Sequence, residues 1–346
     1  MLTWIGIAAA FLVSLAVTPF AIKLAKKFNI VDIPNQRKVH TTPTPRMGGI
    51  AIYAGFVAGA LLLGVYTRQM AALLIATTIV MATGLVDDMK GISPKLKLLG
   101  QLVASLVLVK AGFWLEFITN PFSGGIIDLG WWGIPITVIW LTGISNTINL
   151  IDGLDGLSSG VSVIAAVATA VVCVSQGEML AAILAGVLAA AACGFIPWNF
   201  HPAKTFMGDC GSLTLGFVLG ALALMGLSKG ATVVSVFIPF IILGVPVFDT
   251  FFAIIRRLFL KKPIFEADKM HLHHSLLAMG LSHVQTVLTI YFMALVMGLC
   301  AVLMAVLTSF QAVIVLIAVI VATCLGAEYI GVLRGKRPGF ITRSKS

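Results

Sequence analysis

Eleven runs of mostly apolar residues constrain this chain more than any other feature. They lie at about 2–24, 48–67, 70–87, 96–113, 131–151, 156–176, 179–197, 211–228, 231–255, 286–308 and 310–332. Each is close to the ~20 residues that a helix needs to cross a bilayer. The connections at 68–69, 177–178 and 229–230 leave room only for tight helical hairpins. Composition agrees: 59% of residues are hydrophobic and 10% charged, against roughly a quarter charged in a soluble domain. Plentiful Gly and Ala suit close helix contact in lipid. The expected architecture is an all-α polytopic membrane protein of about 11 transmembrane helices. It forms a single integral membrane domain over 1–346, with no inserted soluble domain.

The basic residues orient this bundle. No basic segment precedes the first apolar run, whereas Lys23, Lys26 and Lys27 follow it. That polarity reads as a retained span with its N-terminus outside, not as a cleaved leader. One side then carries 25–47, 88–95, 152–155, 198–210, 256–285 and 333–346, and with the span ends (Lys23 and Lys97) counted it takes 20 of the 23 Lys and Arg. Only Arg68, Lys110 and Lys229 fall on the other. The basic side is therefore expected to be cytoplasmic, C-terminus included. The net charge of +10 is orienting charge and does not point to nucleic acid. Five cysteines show no paired spacing. Cys173, Cys193, Cys300 and Cys324 lie in apolar runs, and Cys210 reads as a bystander beside Asp209.

The same assignment gathers distant polar residues at one membrane face. Asp87, Asp88, Asp152, Asp155, Asp209 and Asp249 all fall at cytoplasmic loops or span ends, as do His271, His273 and His274. Ionised groups at such depth are costly and mark function. GLVDDMKGISPKLK sets Asp87 and Asp88 beside Lys90, Lys95 and Lys97. Adjacent carboxylates repel unless a proton or cation intervenes, and Mg²⁺ would accept them together with substrate phosphates. The plain alternative is a solvated loop with snorkelling lysines. NTINLIDGLDG places Asn146, Asn149, Asp152 and Asp155 at intervals of three, so neighbours share a helical face. Interhelical hydrogen bonds would explain some of them, but four in ten residues exceed that need.

WNFHPAKTFMGDCGS supplies a ring, an amide, a cation and a carboxylate in Phe206, Asn199, Lys204 and Asp209. These would line a base, a phosphate and a metal, unless the stretch is an ordinary polar loop. HLHHSLLAMGLSH adds His271, His273, His274 and His283. No cysteine or regular ligand spacing supports zinc there, and imidazoles near anionic oxygens are the better reading. Asp249, in VFDTFFAIIRR, would be a lone intramembrane carboxylate, and its plain alternative is a structural partner of Arg256 or of a nearby amide. Carboxylates for a divalent cation, cations for phosphates and a membrane setting suit phosphoryl transfer to a lipid.

At these residues the chain resembles the polyprenyl-phosphate N-acetylhexosamine-1-phosphate transferase superfamily (glycosyltransferase family 4). The matching motifs are RKVHTTPTPRMGG (37–49), DDMKG (87–91), NTINLIDGLDGLSSG (146–160), PWNFHPAKTFMGDCGS (197–212), DTFFAIIRR (249–257) and HLHH (271–274). They occur in order and span most of the chain. HLHH is similar to the His-x-His-His of the WecA/TagO branch, whereas the MraY branch has three consecutive histidines.

The resemblance implies transfer of GlcNAc-1-phosphate from UDP-GlcNAc to undecaprenyl phosphate, with release of UMP. Mg²⁺ or Mn²⁺ would be the cofactor. The product would begin teichoic acid or another surface polysaccharide at the bacterial cell membrane, and a homodimer is compatible. By motif, Asp209 becomes a metal ligand with Asp87 beside it. Asp87 or Asp88 deprotonates or orients the lipid phosphate, and Asp152 is a second candidate base or metal partner. Asp155, Asn199 and Phe206 bind uridine, and Asn149 contacts diphosphate or metal. His271, His273 and His274 hold diphosphate or sugar, and Lys90 and Lys97 bind the lipid phosphate.

UDP-MurNAc-pentapeptide is the alternative donor. An ion-coupled transporter is the rival from another class, but it calls for a midplane site and internal repeats, and neither is seen. An aspartate-rich prenyltransferase would need paired motifs that DDMKG and IDGLDG do not match.

Overall fold

The computed structural model describes residues 1–33, 43–119, 126–226, 233–259, 261 and 271–330. Among these residues the chain forms thirteen α-helices. In order they are α1 Leu2–Lys27, α2 Gly49–Leu62, α3 Arg68–Lys90, α4 Pro94–Lys110, α5 Gly133–Leu150, α6 Leu157–Ser175 and α7 Met179–Asn199. Then follow α8 Asp209–Met225, α9 Val233–Ile242, α10 Gly244–Phe259, α11 Leu272–Ala278, α12 His283–Val306 and α13 Ser309–Ile330. Two short antiparallel strand pairs, Val31–Asp32 with Thr44–Pro45 and Phe117–Thr119 with Ile126–Asp128, close loops.

The fold is an all-α polytopic membrane protein. Among the described residues, six helices are long and apolar enough to cross a bilayer, or seven if the bent pair α9–α10 counts as one. The other runs expected to span form shorter or more polar helices. The helices α2 and α8 have 14 and 17 residues, and α4 carries Lys95, Lys97 and Lys110. The stretch 231–255, expected as one span, is instead two helices meeting at 89°. Pro246 has no N–H to offer the Ile242 carbonyl, and Pro239 lies inside α9. Such gaps in the helical ladder permit a sharp kink.

The axis of the molecule is α8, in which every residue from Cys210 to Ala223 is buried. It packs against α2, α3, α5, α6 and α7. Close approach needs residues without side chains. A Cβ on Gly49 would lie 2.1 Å from the Gly211 nitrogen, and one on Gly84 would lie 2.5 Å from the Asp209 carbonyl. These contacts fix the N-terminal end of α8 against the start of α2 and the end of α3.

Local signals then shape the loops at that end. Gly91, at φ +65°, stops α3. The Ser93 hydroxyl accepts the Leu96 N–H, and Pro94 opens α4. The Asp87 carboxylate braces the turn by accepting the Ile92 N–H at 2.8 Å. This folds Lys97 back over the end of α3. Residues 45–49 dock on 205–207: the Phe206 N–H donates to the Pro45 carbonyl at 2.7 Å. The Gly48 and Gly49 N–H groups donate to the Phe206 and Met207 carbonyls at 3.0 and 2.8 Å.

Candidate active site

Asp88 lies at the centre, its side chain wholly buried. Its Oδ1 accepts from Arg46 Nε at 3.1 Å, from Arg46 Nη2 at 2.7 Å and from the Asp209 N–H at 2.9 Å. Its Oδ2 accepts the Cys210 N–H at 2.9 Å. The first N–H groups of a helix lack intrahelical partners, and Asp88 supplies them to α8 from another helix. The residue at the N-cap position, Gly208, has no side chain to do so. It stands at φ +71°, and a Cβ there would meet Asp88 Oδ2 at 2.5 Å. A carboxylate at this position also complements the positive end of the helix dipole.

These contacts correct the expectation that Asp88 could serve as the base. Its oxygens are committed to Arg46 and to α8, so it holds the site together. Of the DDMKG pair, Asp87 is the less buried, with 11% of its side chain exposed. Lys97 Nζ bridges Asp87 Oδ2 at 2.9 Å and Asp209 Oδ2 at 2.5 Å. Arg46 Nη2 stands 3.7 Å from Asp209 Oδ1, and Arg46 Nη1 stands 3.9 Å from Asp32 Oδ1. Lys90, in contrast, is exposed at the end of α3 and pairs with none of these carboxylates.

Arg46 is the residue that sequence reasoning missed. It lies within RKVHTTPTPRMGG, and a lone arginine two positions before Gly48–Gly49 was the available signal. Asp152 lies within reach of the charges of the same cluster. Burial first, then the charges of Asp209 and Asp88, push its carboxyl up to about 8. The folded group keeps its proton to about pH 8, whereas an unfolded aspartate loses it near pH ~4. The folded state therefore loses stability as the pH rises from about 4 to about 8. Asp152→Asn cannot ionise. It is expected to raise Tm at pH 8 and to leave it nearly unchanged near pH ~4. An equal change at both ends of the range would contradict this reading.

Four carboxylates (Asp32, Asp87, Asp88, Asp209) thus meet two cations, Arg46 and Lys97, with the protonated Asp152 beside them. The hard oxygen donors and unbalanced negative charge fit a divalent cation. Asp87 and Asp209, already bridged by an ammonium, offer the donor pair for it, with Asp152 nearby.

The IDGLDG turn forms the next part of the site. Gly156, at φ +78°, reverses the chain into α6, and the Tyr291 hydroxyl donates to its carbonyl. Asp155 Oδ2 pairs with His201 Nδ1 at 2.8 Å and accepts the Ala203 N–H at 3.1 Å. His201 stacks on His283, with ring centroids 4.2 Å apart and planes at 22°. Ligand atoms of Asp155, His201 and His283 lie within 4.8 Å of one another. However, a metal sits in the plane of each imidazole that binds it, and two stacked rings cannot share one ion in this arrangement.

Asn149 donates to the Ser212 hydroxyl at 2.8 Å, which places it one helical turn from Asp209 on α8. Asn146 is turned the other way, bonded to Gln101 at 2.7 Å. Asn199 also differs from its expected role. It is buried, with Oδ1 accepting from Ser159 at 2.8 Å and Nδ2 donating to the Thr205 carbonyl at 3.1 Å. It shapes the loop that carries half-buried Phe206.

The histidines close the site. His273 presses against Gly153, where a Cβ would stand 2.5 Å from its Nε2. Burial, and then neighbouring His274, push His273 down to about 3. At neutral pH it is an uncharged hydrogen-bonding ring. His274 lies 4.2 Å from it, ring centre to ring centre. Asp249 pairs with His271 Nδ1 at 2.9 Å and accepts the Leu272 amide N–H at 2.8 Å, so of the two partners its sequence context suggested, the nearby amide is the one it meets.

This constellation gathers carboxylates, cations and imidazoles at one end of a bundle of apolar helices. Residues 70–227 match the model of Glycosyl transferase family 4. The chain is 44% identical to a "Probable undecaprenyl-phosphate N-acetylglucosaminyl 1-phosphate transferase" of Bacillus subtilis, over 96% of this chain and 94% of that one. It is 39% identical to a decaprenyl-phosphate N-acetylglucosaminephosphotransferase of Mycolicibacterium smegmatis, over 84% of this chain and 79% of the relative. A phospho-N-acetylmuramoyl-pentapeptide-transferase of Desulforamulus reducens is 36% identical over 79% of this chain and 87% of its own length. The chain belongs to glycosyl transferase family 4, within the polyprenyl-phosphate hexosamine-1-phosphate transferases.

Proposed function

We propose that the protein transfers GlcNAc-1-phosphate from UDP-GlcNAc to undecaprenyl phosphate, giving undecaprenyl-diphosphate-GlcNAc and UMP. The observation that carries this is the Asp87–Lys97–Asp209 bridge at the N-terminus of α8. It joins carboxylates for a cation, an ammonium for phosphate and the positive end of a buried helix dipole. The relatives named for GlcNAc phosphotransfer favour this donor over UDP-MurNAc-pentapeptide. The site lies at the cytoplasmic face of a bacterial cell membrane, in an eleven-span topology with the N-terminus outside. The product enters teichoic acid or related polysaccharide synthesis.

Asp87 and Asp209 would hold Mg²⁺ or Mn²⁺, with Asn149 near the same ligands. The ion would neutralise the diphosphate and align it with the attacking phosphate. Asp155 receives the uracil edge, with Phe206 as an apolar wall and Asn199 fixing the loop between them. Asn149, His271, His273 and His274 surround the diphosphate and sugar. Lys97 orients the lipid phosphate, and Lys90 attracts it from the surface. Asp87 takes any remaining proton from that phosphate, with Asp152 as the second candidate base once it has lost its own proton near pH 8. A lipid-phosphate oxygen then attacks the β-phosphorus, the bond from that phosphorus to the bridging oxygen breaks, and UMP leaves with the electron pair. Direct attack suits a nucleophile that is already anionic. A few isoprene units of the lipid chain would fit a cavity of about 450 Å³ between α5 and the bent pair, lined by Ile136, Trp140, Thr147, Phe240 and Phe251 among others.

Asp155→Asn is expected to weaken UMP binding by roughly tenfold, measured by calorimetry in detergent. Unchanged binding would remove Asp155 from the nucleotide site. The donor is tested by following UMP release with undecaprenyl phosphate and Mg²⁺. UDP-GlcNAc should support release and UDP-MurNAc-pentapeptide should not. The reverse would keep the chemistry and refute the branch.

A further inference from the structure

We propose that Asp249 is a positioning residue that sets the tautomer and placement of the histidine helix. Asp249 is 4% exposed, and both its oxygens are committed to one short segment. Oδ2 pairs with His271 Nδ1 at 2.9 Å, and Oδ1 accepts the Leu272 N–H at 2.8 Å. A carboxylate can only accept in such contacts, so His271 Nδ1 carries the proton and Nε2 is the ring atom left for a ligand. The Leu272 N–H is the first of α11, and His271, its N-cap, makes no side-chain cap of its own. Asp249 therefore caps α11 from a second helix while gripping the ring that begins it.

Geometry carries this grip into the site. The His271 and His273 rings are parallel within 2°, with centroids 6.1 Å apart, and His273 lies on Gly153 of the IDGLDG turn. A seven-residue helix has little stability of its own, so its register depends on such anchors. Asp249 is itself placed by the 89° bend that precedes α10. The break in the apolar stretch thus brings a carboxylate beneath the histidines, where a straight span would follow another path.

This rests on the reading that His271 and its neighbours bind the donor's diphosphate or sugar. Asp249→Asn keeps size and one acceptor but offers Nδ1 an N–H in place of an oxygen. It should convert His271 to the Nε2–H tautomer, read by ¹⁵N NMR of histidine-labelled protein with H271Q as the assignment control. The KM for UDP-GlcNAc should rise on the order of 10-fold, with the KM for undecaprenyl phosphate unchanged. An unchanged tautomer, or a loss confined to Tm, would overturn the proposal. Should D249N fail to fold, the wild-type spectrum decides alone, and absence of an Nδ1–H signal from His271 overturns it. If H271Q leaves donor KM unchanged while D249N still switches the tautomer, the donor-contact reading fails and the positioning by Asp249 stands.

Discussion

Asp209→Asn is expected to cut turnover by on the order of 1,000-fold while the protein stays folded. The substitution keeps the shape of a side chain in the first turn of α8. The backbone contact from the Asp209 N–H to Asp88 is untouched, and so is the Arg46–Asp88 pair. What disappears is one of the two charges facing Lys97. The donor pair then loses half of its charge toward a divalent cation, and the diphosphate loses its alignment with the nucleophile. Steady-state kinetics on purified protein, with Tm as the control for folding, would test this. Turnover within a factor of a few of wild type would remove Asp209 from the reaction.

The second large effect is on stability. Asp88→Ala deletes a buried carboxylate that serves Arg46 and two N–H groups of α8 at once. Breaking a buried ion pair by removing one partner costs about 3–5 kcal/mol. Arg46 keeps some solvent contact, with 30% of its side chain exposed, which places the loss at about 3 kcal/mol. Loss of the helix cap adds ~1 kcal/mol. Because α8 is the buried axis, the damage should not stay local. A marked fall in Tm, together with lost activity, is expected. Asp87→Ala should lose activity with a much smaller change in Tm, since its carboxylate braces only the Gly91–Ser93 turn and Lys97. Equal destabilisation by both variants would contradict the separate roles given to these neighbouring aspartates.

Much of this site was legible in the sequence, because carboxylates and amides stand out in a chain so apolar. Asp87 and Asp209 were identified from charge placement, and the fold joins them through one lysine. Asp88 and Asn199 were recognised as important, but their functions were not visible. Adjacent aspartates look alike in sequence, and only the N-terminus of α8 distinguishes the one that caps it. Arg46 was hidden because its meaning depends on residues 45–49 docking against a loop 160 residues away. The bend at Leu243 was written in Pro239, Gly244 and Pro246. Hydropathy averages over such a break and reported one span. The contact between Asp249 and His271 had no sequence signal, since it depends on that bend.

The central claim is that phosphorus, and not only sugar, moves to the lipid. The most direct test supplies UDP-GlcNAc labelled in its β-phosphate, with undecaprenyl phosphate and Mg²⁺, and asks where the label goes. The account predicts label in the lipid extract and unlabelled UMP in the aqueous phase, both abolished by EDTA. Label remaining with the nucleotide as UDP would contradict it.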